Sequence, residues 1–285
     1  MATAISPPIR NSLSRPATTP NLLATSGSAL LRWEGLLEAQ VDLFLPFELQ
    51  LLIGLPAWQE VVTALDVGRG NGEYIGRLSQ FFPEKRFTGI DVSPELIGAA
   101  RARRLGPNVD FVLSDFFSYR PNGTVFDAIL MRLTLQHFEG IERVLAHAEN
   151  CLARRGSLFI IESDPSRFRN RPETPKFAEL LRVYEAATAA AKKNRSRLSE
   201  LADLLASASG FVLADDFSAV VPHIGPFQQS RLLQMFLLWL DVFEASGVVR
   251  YDFAEVRKEL EVWAANSAAY NQVGIKILRL CKAET

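Results

Sequence analysis

The feature that most constrains the fold is a glycine-rich stretch between a buried apolar run and an amphipathic helix. The apolar run 61–67 leads into Gly68, Gly70 and Gly72, which leave the backbone bare at the turn. A strand, a bare loop and a helix in this order are typical of a parallel α/β unit, and the loop lets a ligand approach the backbone closely. The chemistry of that ligand decides what the protein does.

Strands and helices continue to alternate after this loop, which predicts an α/β fold with a mostly parallel, doubly wound sheet. The predicted strands are 62–67, 86–90, 109–113, 126–131, 157–162, 211–221 and 272–280. The predicted helices are 29–45, ended by Pro46, then 47–55, 72–82, 94–105, 138–152, 175–191 and 198–207. A basic, proline-containing segment, 165–175, is predicted to be a loop.

The chain divides into three predicted parts. Residues 1–27 are predicted to be a disordered tail, because prolines interrupt any helix there; an organelle-targeting peptide is the alternative. Residues 28–60 form an N-terminal helical cap. Residues 61–285 form the main domain, with helical insertions at about 165–195 and 227–266.

Composition excludes several classes of function. The net charge of −1 gives no basic imbalance, so no nucleic-acid partner is expected. Cys151 and Cys281 form neither a disulfide framework nor a paired metal motif, which favours a reducing compartment and a cytoplasmic location. The most apolar helix, 232–243, is too short to be a membrane span.

Acidic residues accompany the first three predicted strands. Asp66 lies in the first strand, Asp91 ends the second, and Asp115 follows the third. A dinucleotide fingerprint would need a glycine where Glu73 stands, and the charge of Asp66 disfavours a phosphate. A ligand with an ammonium group fits better. Asp91 is placed to accept ribose hydroxyls, and Asp115 beside Phe116 suits an adenine amino group and ring.

At this point the chain resembles the class I S-adenosyl-L-methionine (SAM)-dependent methyltransferases, of the small-molecule type. The resemblance covers about 61–164 and the closing strands 211–221 and 272–280. It implies a Rossmann-like, seven-stranded, doubly wound sheet whose last strand is antiparallel, with SAM as the cofactor. Five motifs carry it: LDVGRGNG (65–72), FTGIDVSPELI (87–97), VLSDFF (112–117), FDAILMRLTLQHF (126–138) and SLFIIESD (157–164).

The resemblance implies two groups of cofactor-binding residues. The methionine and sulfonium end would contact Asp66, Gly68, Gly70, Met131 and Arg132. The ribose and adenine would contact Asp91, Val92, Asp115 and Phe116. The family often has a small residue where Arg69 stands, and we expect the Arg69 side chain to point outward.

Methyl transfer from a sulfonium is a direct displacement, which requires alignment and exclusion of water more than a strong base. His137 and His223 follow the fourth and sixth predicted strands, so either is a candidate general base if the acceptor is a hydroxyl. The alternative is that both are structural. No paired carboxylates follow the fourth strand, and no catalytic metal is expected.

The aromatic insertion 227–266 bears on the acceptor. It is interpreted either as a lid over a small apolar or aromatic molecule, or as packing, including a homodimer contact. The sequence therefore predicts a metal-independent methyltransferase of specialised-metabolite biosynthesis, acting on O, C or N. The alternatives are the same fold with a macromolecular acceptor, or a non-methylating SAM-binding relative such as a cyclase or binding protein.

Overall fold

The computed structural model describes residues 27–103, 105–121, 123, 125–190, 201 and 210–283 of the 285. The predicted tail therefore lies outside the described residues, apart from Gly27 at its end. Residues 191–200 and 202–209 also lie outside them, and with these all of the helix predicted at 198–207 except Leu201.

Seven strands form a single sheet. They are β1 (Thr63–Val67), β2 (Arg86–Asp91), β3 (Val109–Leu113), β4 (Phe126–Arg132), β5 (Leu152–Arg171), β6 (Phe211–Ile224) and β7 (Tyr270–Lys282). Their order is β3-β2-β1-β4-β5-β7-β6. Strands β1 to β5 pair in parallel, whereas β7 is antiparallel to both of its neighbours. The predicted Rossmann-like, doubly wound sheet with an antiparallel last strand is confirmed.

Helices cover both faces of this sheet. They are α1 (Gly27–Gly54), α2 (Pro56–Gln59), α3 (Glu73–Phe81), α4 (Pro94–Ala102), α5 (Ile141–Cys151), α6 (Pro175–Ala190), α7 (Pro226–Ser246) and α8 (Phe253–Ala265), with a short 3₁₀ turn at Leu135–His137. Alternate strand residues serve two cores, because successive side chains point to opposite faces. Ala64, Leu130 and Phe159 share one core with α1, α3 and α6 to α8, whereas Leu65 and Ile129 share the other with α5.

The predicted break at Pro46 is wrong, since α1 runs through it without interruption. A proline inside a helix removes the N–H that would bond the carbonyl four residues earlier, and its ring tilts that turn. Two contacts stabilise the helix here. Leu45 and Leu49 are buried in the core on either side of the proline, and the carbonyl oxygen of Leu43 lies 3.3 Å from Nε2 of His223.

The loop predicted after Asp164 is wrong as far as Arg171, because β5 continues through a bulge to that residue. Asn170 pairs with Asn271, and Arg171 pairs with Tyr270, on the antiparallel strand β7. Strands β5, β6 and β7 therefore project beyond the carboxyl ends of the other strands.

Most aromatic side chains of the insertion pack inside the protein. The ring of Phe236 lies 4.8 Å from that of Phe177 on α6, and Phe243 stacks on Tyr184 at 3.9 Å. Phe227, at the start of α7, is exposed. The buried rings form a core between α1, α6, α7 and α8, and the packing interpretation accounts for them. A lid over an acceptor stays a prediction. No helix among the described residues is both long enough and apolar enough to cross a bilayer.

Candidate functional site

The glycine loop between β1 and α3 lies at the carboxyl end of the sheet, where α1 covers it. Gly68, Gly70 and Gly72 all have positive φ, between 60° and 78°, which side chains disfavour. A Cβ atom on Gly70 would lie 2.7 Å from Cδ1 of Leu37 on α1. The loop therefore needs glycine for its backbone conformation and for the close approach of α1.

Asp66 lies beneath this loop and is 2% exposed. Its Oδ2 atom has no hydrogen-bond partner among the described residues. Burial raises the pKa of this carboxyl to about 7, although the nearby Arg69 and Arg132 act to lower it. A buried carboxylate oxygen without a donor is costly unless a ligand supplies one. Asp66 therefore fits a cationic donor such as an ammonium group.

Asp91 links the glycine loop to the end of β2. Its Oδ2 accepts the backbone N–H of Gly70 at 2.9 Å, and its Oδ1 accepts that of Ser93 at 2.9 Å. Burial raises its pKa, and these two hydrogen bonds act to lower it. The adjacent Val92 is 63% exposed. The end of β2 thus presents a carboxylate beside an open apolar side chain, and the contacts of these residues with ribose and adenine stay a prediction.

Asp115 and Phe116, the predicted adenine contacts, lie after β3. The Oδ1 atom of Asp115 accepts the N–H of Ser118 at 3.2 Å, and the carboxylate remains partly exposed. The ring of Phe116 is buried and lies edge-on to His147 at 4.7 Å, within an aromatic cluster that includes Phe138. The Phe116 ring therefore packs in the core, and its contact with adenine stays a prediction.

Arg132, at the end of β4, is bound by α1. Its Nε lies 3.0 Å from both carboxylate oxygens of Glu48, and its Nη2 donates to the carbonyl of Gln40 at 3.3 Å. Its guanidinium also lies 4.6 Å from the centre of the Tyr74 ring. Burial acts to lower the pKa of Arg132, but Glu48, Tyr74 and Asp66 together raise it above its ordinary value. Met131, one residue earlier, is fully buried in the core.

The expectation that Arg69 points outward is wrong. Its side chain is 5% exposed, and its guanidinium lies 3.8 Å from the centre of the Phe111 ring on β3. A Cβ on Gly89 would lie 2.0 Å from Cδ of Arg69, so the side chain occupies the space that this glycine leaves in β2. The side chain points inward because the sheet provides both the gap and the aromatic surface.

The two candidate histidines lie in different environments. His137 is exposed at the end of the 3₁₀ turn that follows β4. His223 is fully buried, and its Nδ1 lies 3.2 Å from Oδ1 of Asn271 while its Nε2 faces the carbonyl of Leu43. Burial lowers the pKa of His223, although both of these contacts act to raise it. His223 thus joins α1 to the projecting part of the sheet.

Several residues of the site were not predicted. Glu48 is the clearest case, since it is charged yet lies on the buried stripe that includes Leu45, Leu49 and Leu52. A carboxylate on an apolar helix face is a signal that could have identified it. Asn71, whose buried Nδ2 has no partner among the described residues, carries no such signal in the sequence.

The charges around Asp66 leave a negative excess when Asp66 is ionised, which its pKa of about 7 allows above neutral pH. Asp66, Asp91 and Glu48 are opposed by the guanidinium groups of Arg69 and Arg132, three acidic groups against two basic ones. The arrangement suits a ligand of net positive charge. The described residues contain no cluster of three or more metal-binding side chains.

The region around this site matches a known family. Residues 64–156 match the family model described as a methyltransferase domain. Over 68 residues the chain is 41% identical to a release factor glutamine methyltransferase of Koribacter versatilis. This match covers 23% of this chain and 24% of that protein. Over 113 residues it is 32% identical to a trans-aconitate 2-methyltransferase of Acidovorax sp. (strain JS42). This match covers 40% of this chain and 42% of that protein. The chain thus spans less than half the length of these relatives.

A similar fold is found in a crystal structure of a candidate sarcosine dimethylglycine methyltransferase from Galdieria sulphuraria. The two share 17% sequence identity with a TM-score of 0.50, over 84% of this chain and 85% of the other. The glycine loop, Asp66 and Asp91 all lie within the residues that match the family model. Over residues 64–156 the chain is thus similar to the methyltransferase domain family, and its fold is similar to that of the solved structure.

Proposed function

We propose that this protein transfers a methyl group from S-adenosylmethionine to a small molecule. The observation that carries the proposal is the buried, unpartnered Oδ2 of Asp66 beneath a bare glycine loop, in surroundings of net negative charge. The cofactor carries an ammonium and a sulfonium group, and both complement that charge. When bound, it supplies an activated methyl group.

The residues of the site have separable roles in this proposal. Asp66 accepts the ammonium group, and the backbones of Gly68 and Gly70 border the methionine chain. Asp91 accepts the ribose hydroxyls while it holds the N–H of Gly70, and Val92 packs on adenine. The side chains of α1 cover the loop and exclude water, since Leu37 lies directly against Gly70.

The acceptor is proposed to be a small apolar or aromatic metabolite, methylated on O, N or C. Support comes from the enclosure of the loop by α1, which leaves less room for a macromolecule than an open cleft would. For a hydroxyl acceptor, His137 is the better candidate base because it is exposed close to the end of β4. His223 has both ring nitrogens engaged within the protein.

The Asp91→Ala variant is expected to bind S-adenosylmethionine at least about a hundredfold more weakly, because two charge-assisted hydrogen bonds to the ribose are lost. Isothermal calorimetry measures this directly. Asp110→Ala is the matched control, since Asp110 is exposed on the neighbouring strand β3. An unchanged affinity in Asp91→Ala would contradict the ribose assignment.

Incubation with methyl-labelled S-adenosylmethionine and a panel of small metabolites tests the transfer itself. Mass spectrometry should detect one acceptor that gains the mass of a labelled methyl group. Binding of the cofactor without transfer to any compound would instead favour a non-methylating relative. Transfer to proteins or nucleic acids alone would favour a macromolecular acceptor.

A further inference from the structure

The turn that follows β4 contains a residue in a strained backbone conformation. Leu133 has a φ of 53°, and it is the only residue other than glycine with positive φ in the part of the chain that the structure describes. This left-handed conformation is unfavourable for leucine, whereas glycine adopts it without strain. Residues held in this way cluster at functional sites, where the surrounding contacts sustain them. The contacts that hold Leu133 in this conformation therefore bear on function.

Two hydrogen bonds from the turn to β5 hold Leu133 in place. The N–H of Leu133 donates to the carbonyl of Ile161 at 2.8 Å, and the N–H of Leu135 donates to Oε1 of Glu162 at 3.0 Å. The backbone is thus fixed by β5 both at Leu133 and two residues after it. Because the second bond depends on a side chain, its strength is set by the residue at position 162.

Glu162 is a costly residue at the end of β5. It is 4% exposed, and burial of a carboxylate carries a large desolvation cost even where hydrogen bonds offset part of it. The four residues before it, 158–161, are apolar and fill the two cores. Strain at Leu133 and a buried acidic side chain at Glu162 therefore coincide at one turn, which points to a role beyond stability.

The same turn packs against the glycine loop. Thr134 is buried, and a Cβ on Gly68 would lie 2.5 Å from its Cγ2 atom. The carbonyl of Thr134 accepts the N–H of His137 at 2.9 Å, so the candidate base extends from this turn. The turn thus joins the loop proposed to hold the methyl donor to the end of β5, at the edge of the sheet where ligands bind in open α/β folds.

We propose that Glu162 is a positioning residue for methyl transfer: it fixes the strained turn 133–135, and so sets the place of the acceptor relative to the glycine loop. This inference rests on the proposed function for the reaction itself. In the displacement, a lone pair of the acceptor bonds to the methyl carbon while the carbon–sulfur bond breaks toward sulfur. A shift of about 1 Å in the turn would misalign these atoms and lower the rate by up to about a hundredfold.

Hydrogen exchange of the His137 amide tests the first part of the proposal in the ligand-free protein. Glu162→Ala should raise its exchange rate about tenfold, because the turn can then leave the left-handed conformation at Leu133. Glu162→Gln keeps an oxygen that accepts the N–H of Leu135, and should exchange at nearly the wild-type rate. In Leu133→Gly the strain is absent, so adding Glu162→Ala should raise the rate only about threefold. Glu139→Ala, which removes an exposed carboxylate beyond the turn, is the control and should change nothing.

Turnover of methyl-labelled S-adenosylmethionine, with the acceptor identified in the metabolite panel, tests the second part. In Glu162→Ala, kcat should fall at least about tenfold, because the turn no longer aligns the acceptor. Calorimetry should show the affinity for the cofactor changed by less than about threefold, because Asp66 and Asp91 are unaltered. Glu162→Gln should recover most of the rate.

An exchange rate at His137 that is the same in Glu162→Ala and wild type would overturn the inference, as would losses of kcat and cofactor affinity that are equal in size. If thermal unfolding shows that Glu162→Ala is misfolded, Glu162→Met takes its place, because it retains most of the side-chain volume without the oxygens. A wild type that methylates no compound would contradict the proposed function, and the inference would then fail for transfer. The exchange rates would still decide whether Glu162 holds the turn.

Discussion

The Asp66→Asn variant is expected to lose S-adenosylmethionine binding and yet to be more stable than the wild type. Its affinity should fall at least about a hundredfold, because an amide cannot replace a buried carboxylate opposite an ammonium group. At pH 8, the free energy of unfolding of the ligand-free protein should rise by about 4 kcal/mol, since the variant buries no charge. Urea denaturation measures the stability, and calorimetry measures the binding.

The stability gain should depend on pH in a defined direction. The folded-state pKa of Asp66 is about 7, above the ordinary value of 3.8, so the folded protein binds this proton more tightly than the unfolded chain does. The penalty for ionising Asp66 is therefore fully present above pH 7. It declines as the pH falls from about 7 to about 4, and the advantage of Asp66→Asn should decline with it.

Asp110→Asn is the matched control for this prediction, because Asp110 is exposed on β3. It should change neither affinity nor the pH dependence of stability. A stability difference between Asp66→Asn and wild type that is constant from pH 5 to pH 8 would contradict the assigned ionisation. Retained affinity would contradict the role of Asp66 in binding the ammonium group.

The parts of the fold that the sequence predicted are those set by local patterns. The strand, glycine loop and helix around Gly68 follow from residues close together in the chain, and the predicted bounds of β3 agree with the structure. The position of Asp91 beside the loop follows from two parallel strands that end at one edge of the sheet.

The parts that the sequence missed depend on contacts distant in the chain. Helix α1 continues through Pro46 because it packs on the core and contacts His223. Strand β5 reaches Arg171 because β7, almost a hundred residues later, supplies hydrogen-bonding partners. Arg69 points inward because Gly89 on another strand leaves space for it. Neither local propensity nor a hydrophobic period contains that information.

Breaking the ion pair between Glu48 and Arg132 is expected to destabilise the protein strongly, because this pair holds α1 over the glycine loop. Both side chains are almost fully buried, and Nε of Arg132 bridges the two carboxylate oxygens. Glu48→Ala leaves the guanidinium buried and uncompensated, which should lower the free energy of unfolding by about 3–5 kcal/mol. Hydrogen exchange should show the amides of α1 and of the loop at Gly70 becoming less protected.

The double variant Glu48→Met/Arg132→Met separates the pair's net contribution from the penalty of an unpaired charge. With both charges removed and similar volumes retained, it should recover most of the lost stability. Glu38→Ala is the matched control on the same helix, since its pair with Arg103 is partly exposed and should contribute less than about 1 kcal/mol. A double variant as unstable as Glu48→Ala would mean that the contacts of these side chains, rather than their charges, hold α1 in place. If stability recovers but S-adenosylmethionine binding does not, the pair has a role in the site beyond fastening the helix.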